Sequence, residues 1–326
     1  MPIFKMATIV LALLVFSCSS PSPSTHVTIS NTQWHINGSI THPGTPAEGL
    51  LMNVRMVNAT FEDTTISFNA DSNTQHFIDA IPQYKKLGVD AFTLNLQGGM
   101  PGYEGAVNSA FLPDGSLQPD YVQRIARVIR ACNANGMAVI LGLFYQRQDQ
   151  ILADSTAVKT AVVQAIDWIT TQQFKHVVVE IANEYPHPGF DHEKISSPEH
   201  MAELIQLAKR INPDLLVSAS GLGNGKLDSL VAEASDFLFI HFNGTPVDSI
   251  PARIQALTHF NKPIVCNEDN KTGERACEAM RAAVRHQCSY GYMNVEVNQH
   301  KPFTFNGAAD DPIFYECLQQ LIKSSN

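Results

Sequence analysis

From about residue 48 onward, short apolar runs alternate with longer stretches whose apolar residues recur at helical spacing. The short runs read LLMNVRMVN, VDAFTLNLQ, MAVILGLFY, HVVVEIAN, LLVSASG, FLFIHFN, PIVCNED and GYMNVEVN. Between them lie HFIDAIPQYKKLG, YVQRIARVIRACNANG, AVVQAIDWITTQ, HMAELIQLAKRIN, KLDSLVAEA, IPARIQALTHF and ERACEAMRAAVRHQC, and PIFYECLQQLIK closes the chain. Several helical stretches end in Gly or Asn (KKLG, NANG, KRIN), residues that tolerate the left-handed turn that stops a helix. The short runs are apolar throughout rather than alternating, as expected for strands covered on both faces of a parallel sheet.

Eight such strand–helix units predict an α/β protein with a (β/α)8 TIM barrel. A doubly wound open sheet is the alternative. It would carry a Gly-rich phosphate loop after its first strand, whereas LLMNVRMVN runs into ATFEDT without a glycine. Ahead of the barrel, TQWHINGSITH alternates about Asn37-Gly38 and predicts a β-hairpin that plugs the barrel's bottom. The expected organisation is a targeting segment over 1–18, a Ser/Pro tether over 19–27, the hairpin over 28–46 and the barrel over 47–326.

The first segment, MPIFKMATIVLALLVFSCSS, has an early Lys5 and an apolar run from Ala7 to Phe16, too short to span a bilayer comfortably. It ends VFSC and resembles a bacterial lipobox with Val15 in place of the usual Leu, which would make Cys18 the lipid-bearing residue. Ser19 and Ser20 include no retention Asp, so an outer-membrane anchor is expected, with ordinary secretion as the alternative. The other five cysteines, with no CxxC spacing, argue against a zinc site and against a full disulfide framework, and read as largely buried thiols. The chain has 326 residues, 44% of them hydrophobic, enough for a large core, and a net charge of −9. No basic stripe exists to meet phosphates, which excludes a nucleic-acid partner. A monomer without a cofactor is expected.

A parallel barrel places its active site at the C-terminal ends of its strands. There the polar residues collect. Strand one delivers Asn53, Arg55 and Asn58; strand two Asn95 and Gln97, then the GGMPGYEG loop; strand three Tyr145, Gln146 and Arg147. Strand four delivers Asn183, Glu184, Tyr185 and His187; strand five Ser218, Ser220 and GLGNG; strand six His241 and Asn243. Strand seven delivers Asn267, Glu268, Asp269 and Asn270, and strand eight Asn294, Glu296, Asn298, Gln299 and His300. Glu184 and Glu268 would face one pocket from opposite sides. Two opposed carboxylates among amides and aromatic rings suit glycoside hydrolysis, one protonating the leaving oxygen while the other attacks the anomeric carbon.

IANEYPH resembles the strand-four Asn-Glu motif of clan A glycoside hydrolases, Glu-x-x-Asn-Glu-Pro, here Glu180, Asn183 and Glu184 with Tyr185 in place of Pro. PIVCNED resembles that clan's strand-seven nucleophile segment, and FIHFNG the strand-six His-x-Tyr of family 5 cellulase-like enzymes, with Asn243 where Tyr usually stands. The resemblance covers the chain from the hairpin onward. It implies a retaining mechanism with Glu184 as acid/base and Glu268 as nucleophile. Asn183 would bond the sugar 2-hydroxyl and His241 would orient the nucleophile. Family 5 enzymes also carry a His after strand three and a Trp after strand eight, but here strand three reads VILGLFYQRQ and the only tryptophans are Trp34 and Trp168. The floor of the sugar site is therefore unusual, and a divergent family is implied.

Arg55, Tyr145, Asn243, Gln97 and Glu296 complete the expected substrate-binding set. Arg55 could instead hold Glu268 ionised or pair with Glu180, Tyr145 could simply pack, and Glu296 would be a hydrogen-bonding wall. His187, His192 and His200 could hold a metal or lie in a solvated loop. Two other functions compete with the hydrolase. One is a barrel using Glu184, His241, Glu268 and Glu296 for Mg²⁺ or Mn²⁺. The other is a sugar-binding lipoprotein without turnover.

Overall fold

In a computed structural model, eight parallel strands close a barrel. The structure describes residues 24–62, 67, 69–98, 108–299 and 304–323, so the expected targeting segment with Cys18, most of the GGMPGYEG stretch and His300 lie outside the described residues. The strands are β1 (Asn53–Arg55), β2 (Ala91–Asn95), β3 (Ala138–Phe144), β4 (Val177–Ala182), β5 (Val217–Ser218), β6 (Leu238–His241), β7 (Ile264–Glu268) and β8 (Cys288–Ser289 with Gly291–Tyr292).

β1 through β5 form one parallel ladder. β6 joins β5 through a bridge between Ser220 and Phe239, and β7 pairs with both β6 and β8. Gly291 and Tyr292 pair with Asn53 and Val54, which closes the ring from β8 to β1. Closure leaves no exposed edge and makes the strand interiors fully buried, as their apolar composition predicts.

Eight helices follow the strands in turn: α1 (Ala70–Lys86), α2 (Pro119–Ala134), α3 (Ser155–Thr171), α4 (Pro198–Ile211), α5 (Ser229–Ala234), α6 (Ile250–Gln255), α7 (Gly273–Arg285) and α8 (Pro312–Leu321). A four-residue turn of helix, Glu193–Ser196, precedes α4. Their starts are written locally. Asn69, Asp154, Ser197, Asp228 and Asp311 each accept a backbone N–H from the first turn, and Pro stands in the first turn of α2, α4, α6 and α8. A disulfide joins Cys277 of α7 to Cys317 of α8, while Cys132, Cys266 and Cys288 are buried thiols.

The N-terminal hairpin gains a strand. Val27–Ser30, Gln33–Ile36 and Ser39–Ile40 form a three-stranded antiparallel sheet, the first pair turning at Asn31-Thr32 and the second at Asn37-Gly38. Trp34 is fully buried, edge-on to Phe237 at 5.1 Å, in a cluster with Leu51, Ala138, Val178 and Val265 from the N-terminal ends of the strands. The sheet thus seals the barrel end opposite the polar mouth.

GYMNVEVN departs from the expected strand. β8 ends at Tyr292, and Val295–Gln299 winds into a π-helical turn. Asn58 and Thr304 hold that turn by donating to the Val297 carbonyl, at 2.8 Å each.

Candidate active site

β4 buries every residue from Val177 to Ala182, including the carboxylate of Glu180. Glu180 Oε2 accepts a bond from Asn267 Nδ2 at 3.1 Å, and its Oε1 lies 3.7 Å from His241 Nε2. Glu180 therefore serves His241 and Asn267, not Arg55. Just beyond the strand, Glu184 adopts a left-handed backbone, φ +50°. Such a conformation costs a non-glycine residue about 1–3 kcal/mol and needs support from its surroundings. Ser220 supplies it: its hydroxyl accepts the Glu184 N–H (2.8 Å) and its carbonyl the Tyr185 N–H (3.0 Å). The turn aims the Glu184 side chain into the mouth.

Glu268 ends β7, where the pairing with β6 slips between Cys266 and Glu268. A bulge of this kind re-aims the side chain beyond it. One carboxylate oxygen of Glu184, one of Glu268 and a ring nitrogen of His241 lie within 4.8 Å of one another. Arg55 Nε sits 3.1 Å from Glu268 Oε2, and Asn243 Nδ2 donates to Glu268 Oε1. His241 Nδ1 is 3.2 Å from Glu184 and 3.9 Å from Glu268. The imidazole is thus closer to the expected acid/base than to the nucleophile.

Burial works against the charge of Glu268, but the Arg55 guanidinium, the His241 ring and the Asn243 amide outweigh it and hold its pKa below the ordinary carboxylate value. Burial also disfavours a charge on His241, yet Glu268, Glu180 and Glu184 around it push its pKa up to about 10. An imidazolium has no lone pair for a metal, and Arg55 already neutralises Glu268. Glu184, His241 and Glu268 are grouped closely enough to hold a metal ion, and Arg55, 3.1 Å from Glu268, would compete with a cation there.

Behind the carboxylates lies an amide network. Asn183 Oδ1 accepts from Arg55 Nη2 (2.9 Å), and its Nδ2 donates to Gln146 Oε1 (3.1 Å). With its amide oriented to satisfy both neighbours, Asn95 Oδ1 also accepts from Arg55 Nη2 (3.2 Å) while its Nδ2 donates to Leu94 O (2.9 Å). Tyr145 places its ring 5.7 Å from the Arg55 guanidinium carbon. Gly98, φ +91°, lies against that ring, where a Cβ would come within 2.3 Å of Tyr145 Cγ, so only glycine fits.

The expected residues thus separate by place. Glu184, Glu268, His241, Arg55 and Asn243 converge, with Asn183 and Tyr145 directly behind them. Gln97 is fully buried and donates to Ser109 Oγ and the Gln148 carbonyl, which ties it to neighbouring loops. Glu296 is exposed in the π-helical turn, off the barrel wall. His187, His192 and His200 do not converge: His187 accepts its own loop's Gly189 N–H, His192 lies 3.7 Å from Asp149, and His200 meets the Glu193 carbonyl. Supporting roles fall to Asn95, Gln146, Ser220 and Asn267. All four stand at strand ends, but nothing in the sequence says which side chain each one grips.

No protein-family model matches the sequence, and no curated protein matches it. Solved structures do. A broad-specificity GH5-4 endoglucanase from Clostridium longisporum aligns with a TM-score of 0.57 at 12% identity, over 84% of this chain and 94% of that one. A family 5 glycoside hydrolase from Prevotella bryantii aligns at 0.57 and 10% identity, over 90% and 100%. The fold is that of the family 5 glycoside hydrolases. A candidate glycoside hydrolase from Bacteroides vulgatus gives 0.64 at 12% identity over 92% of this chain, which spans 61% of that longer protein. At such identities the family 5 likeness is one of fold, and the chemistry must be argued from the carboxylates in this barrel.

Proposed function

We propose that the protein is a retaining glycoside hydrolase acting on a poly- or oligosaccharide. Glu268 is the nucleophile and Glu184 the acid/base. The observation that carries this reading is the approach of their carboxylate oxygens to within 4.8 Å. A nearest-oxygen approach this short suits the retaining arrangement, with carboxyl groups about 5–5.5 Å apart, better than the inverting one, with about 6.5–9.5 Å left for a water. In the first half-reaction Glu184 gives its proton to the leaving oxygen as Glu268 attacks the anomeric carbon. In the second, Glu184 takes a proton from the water that releases the sugar from Glu268. Arg55, His241 and Asn243 keep Glu268 anionic for the attack, and Asn183 acts through Arg55. Several of the solved neighbours are described as endoglucanases, so β-glucans are the first substrates to try.

Digestion of a glycan panel, with the anomer of the first-formed product read by proton NMR, tests the assignment. Retention of configuration is expected. An inverted first product would reject the assignment, and binding without hydrolysis across the panel would favour a sugar-binding protein.

We further propose that the chain is anchored through Cys18 in a cell envelope. The Cys277–Cys317 bond supports export, because disulfides persist in oxidising compartments. Cys18→Ser should move the protein from the membrane to the soluble fraction. A variant that fractionates like the parent would remove the lipid anchor from this picture.

A further inference from the structure

Beside the catalytic mouth, on the other side of loop 221–225, lies a cavity of about 310 Å³. Its polar wall is Lys226, Ser229, Arg253 and His259, and its apolar wall includes Leu227 and Phe260. Among the described residues no Asp or Glu lines it, in a chain whose net charge is −9. The volume is at the lower end of small-ligand sites.

Arg253 is the unusual member. Its Nε is buried and meets no hydrogen-bond partner among the described residues. What sets it apart from the buried Arg55 and Arg124 is charge: those two face the carboxylates of Glu268 and Glu62, whereas no carboxylate among the described residues lies within ion-pair distance of Arg253. A buried donor without an acceptor is costly, and a ligand oxygen would relieve it. The His259 and Phe260 rings lie 4.0 Å apart and tilted by 38°, adding an aromatic surface beside the cations.

The loop wall is shared with the catalytic mouth. Gly225 donates its N–H to the His241 carbonyl at 2.9 Å, and a Cβ on it would come within 2.9 Å of Arg253 Cγ. A Cβ on Gly223 would lie 3.5 Å from Glu184 Oε1. Two residues span at most about 7 Å of chain. A group held by Arg253 is therefore a short step from the reacting carboxylates.

We propose that this cavity is an anion-accepting subsite. It takes a singly charged oxyanion carried on a sugar, either the carboxylate of a uronic acid or a sulfate ester, on a glycan lying across the catalytic mouth. The planar guanidinium of Arg253 presents two parallel N–H groups to two oxygens of such a group, and the Lys226 ammonium adds charge from the rim. That the glycan crosses the mouth rests on the hydrolase reading; the anion site itself does not.

The test titrates the full chain with glucuronate, glucose 6-sulfate and glucose, following the backbone amide resonances of Gly225 and Lys226. The acidic sugars should shift both and glucose neither. Arg253→Ala should weaken acidic-sugar binding at least about tenfold, the scale of losing a charge-assisted hydrogen bond. Lys226→Ala, at an exposed position, should weaken it less and provides a check independent of folding at Arg253. Tighter binding of glucuronate would identify the carboxylate as the group recognised, and tighter binding of glucose 6-sulfate the ester. Glucose binding as well as either acid would overturn the proposal, as would both variants binding like the parent. A protein that binds the acidic sugars but cleaves no glycan would remove the hydrolase reading and leave this site standing. One that cleaves neutral glycans and ignores acidic sugars would do the reverse.

Discussion

Glu268→Ala is expected to be inactive on every glycoside, whereas Glu184→Ala keeps the first half-reaction on an activated aryl glycoside. The contrast follows from the role proposed for each carboxylate. A sugar alkoxide is a poor leaving group and needs the proton of Glu184, a contribution of about 10²–10⁴-fold. A nitrophenolate departs largely unaided, so loss of Glu184 spares that step and slows the second, where a base must activate water. Glycosyl-enzyme should then accumulate on Glu268, visible as a mass increase on the intact protein and as a burst of nitrophenolate. Without Glu268 no bond to the anomeric carbon can form, and no leaving group compensates. The geometry is consistent with this division: Glu268 has Arg55 at 3.1 Å and is almost fully buried, while the Glu184 side chain retains 12% exposure toward the mouth, where sugar and water must enter. Equal losses for both variants on both substrates, or the opposite pattern, would reverse or remove these roles.

The barrel was legible because strands buried on both faces must be apolar throughout, and HVVVEIAN or MAVILGLFY can hardly be anything else. The eighth strand misled at its end. Asn-Val-Glu-Val-Asn alternates like a strand, but the backbone turns at Val295 because Asn58 and Thr304 capture the Val297 carbonyl. Those partners are distant in sequence or beyond the run itself, so the local pattern cannot register them. The same limit applies inside the site. Polar residues at strand exits pointed to the barrel mouth where Glu184 and Glu268 come together, since few other places in a barrel tolerate them. The partners were not legible: Arg55 could have served Glu180 or Glu268, and only the closed ring places it against Glu268 while Glu180 meets His241. Likewise the five cysteines other than Cys18 concealed one bonded pair, which the packing of α7 on α8 brings together.

Arg55→Met should damage both stability and the pH profile, in directions fixed by the charges it leaves behind. Arg55 is fully buried, and its removal leaves Glu268 with burial opposing its charge and only His241 and Asn243 to offset it. Breaking a buried pair by deleting one partner typically costs about 3–5 kcal/mol. In the parent, the pKa of Glu268 is held below its unfolded value, so its contribution is present above the unfolded carboxylate pKa and is lost as pH falls through the folded value. His241 behaves oppositely. Its folded pKa of about 10 lies above the unfolded value near 6.5, so its contribution is complete below 6.5 and fades as pH rises toward 10. The pair therefore favours the folded state most between the unfolded carboxylate pKa, about 4.3, and about pH 6.5. Without Arg55 the largest influence lowering the Glu268 pKa is gone, so that pKa rises. The acid limb of kcat/KM, which reports the free enzyme's nucleophile, should move to higher pH. Denaturant unfolding at pH 6 and a pH–rate profile on an aryl glycoside measure the two effects separately. If Arg55→Met unfolds at the parental midpoint and its acid limb does not move, the guanidinium is not what keeps Glu268 charged.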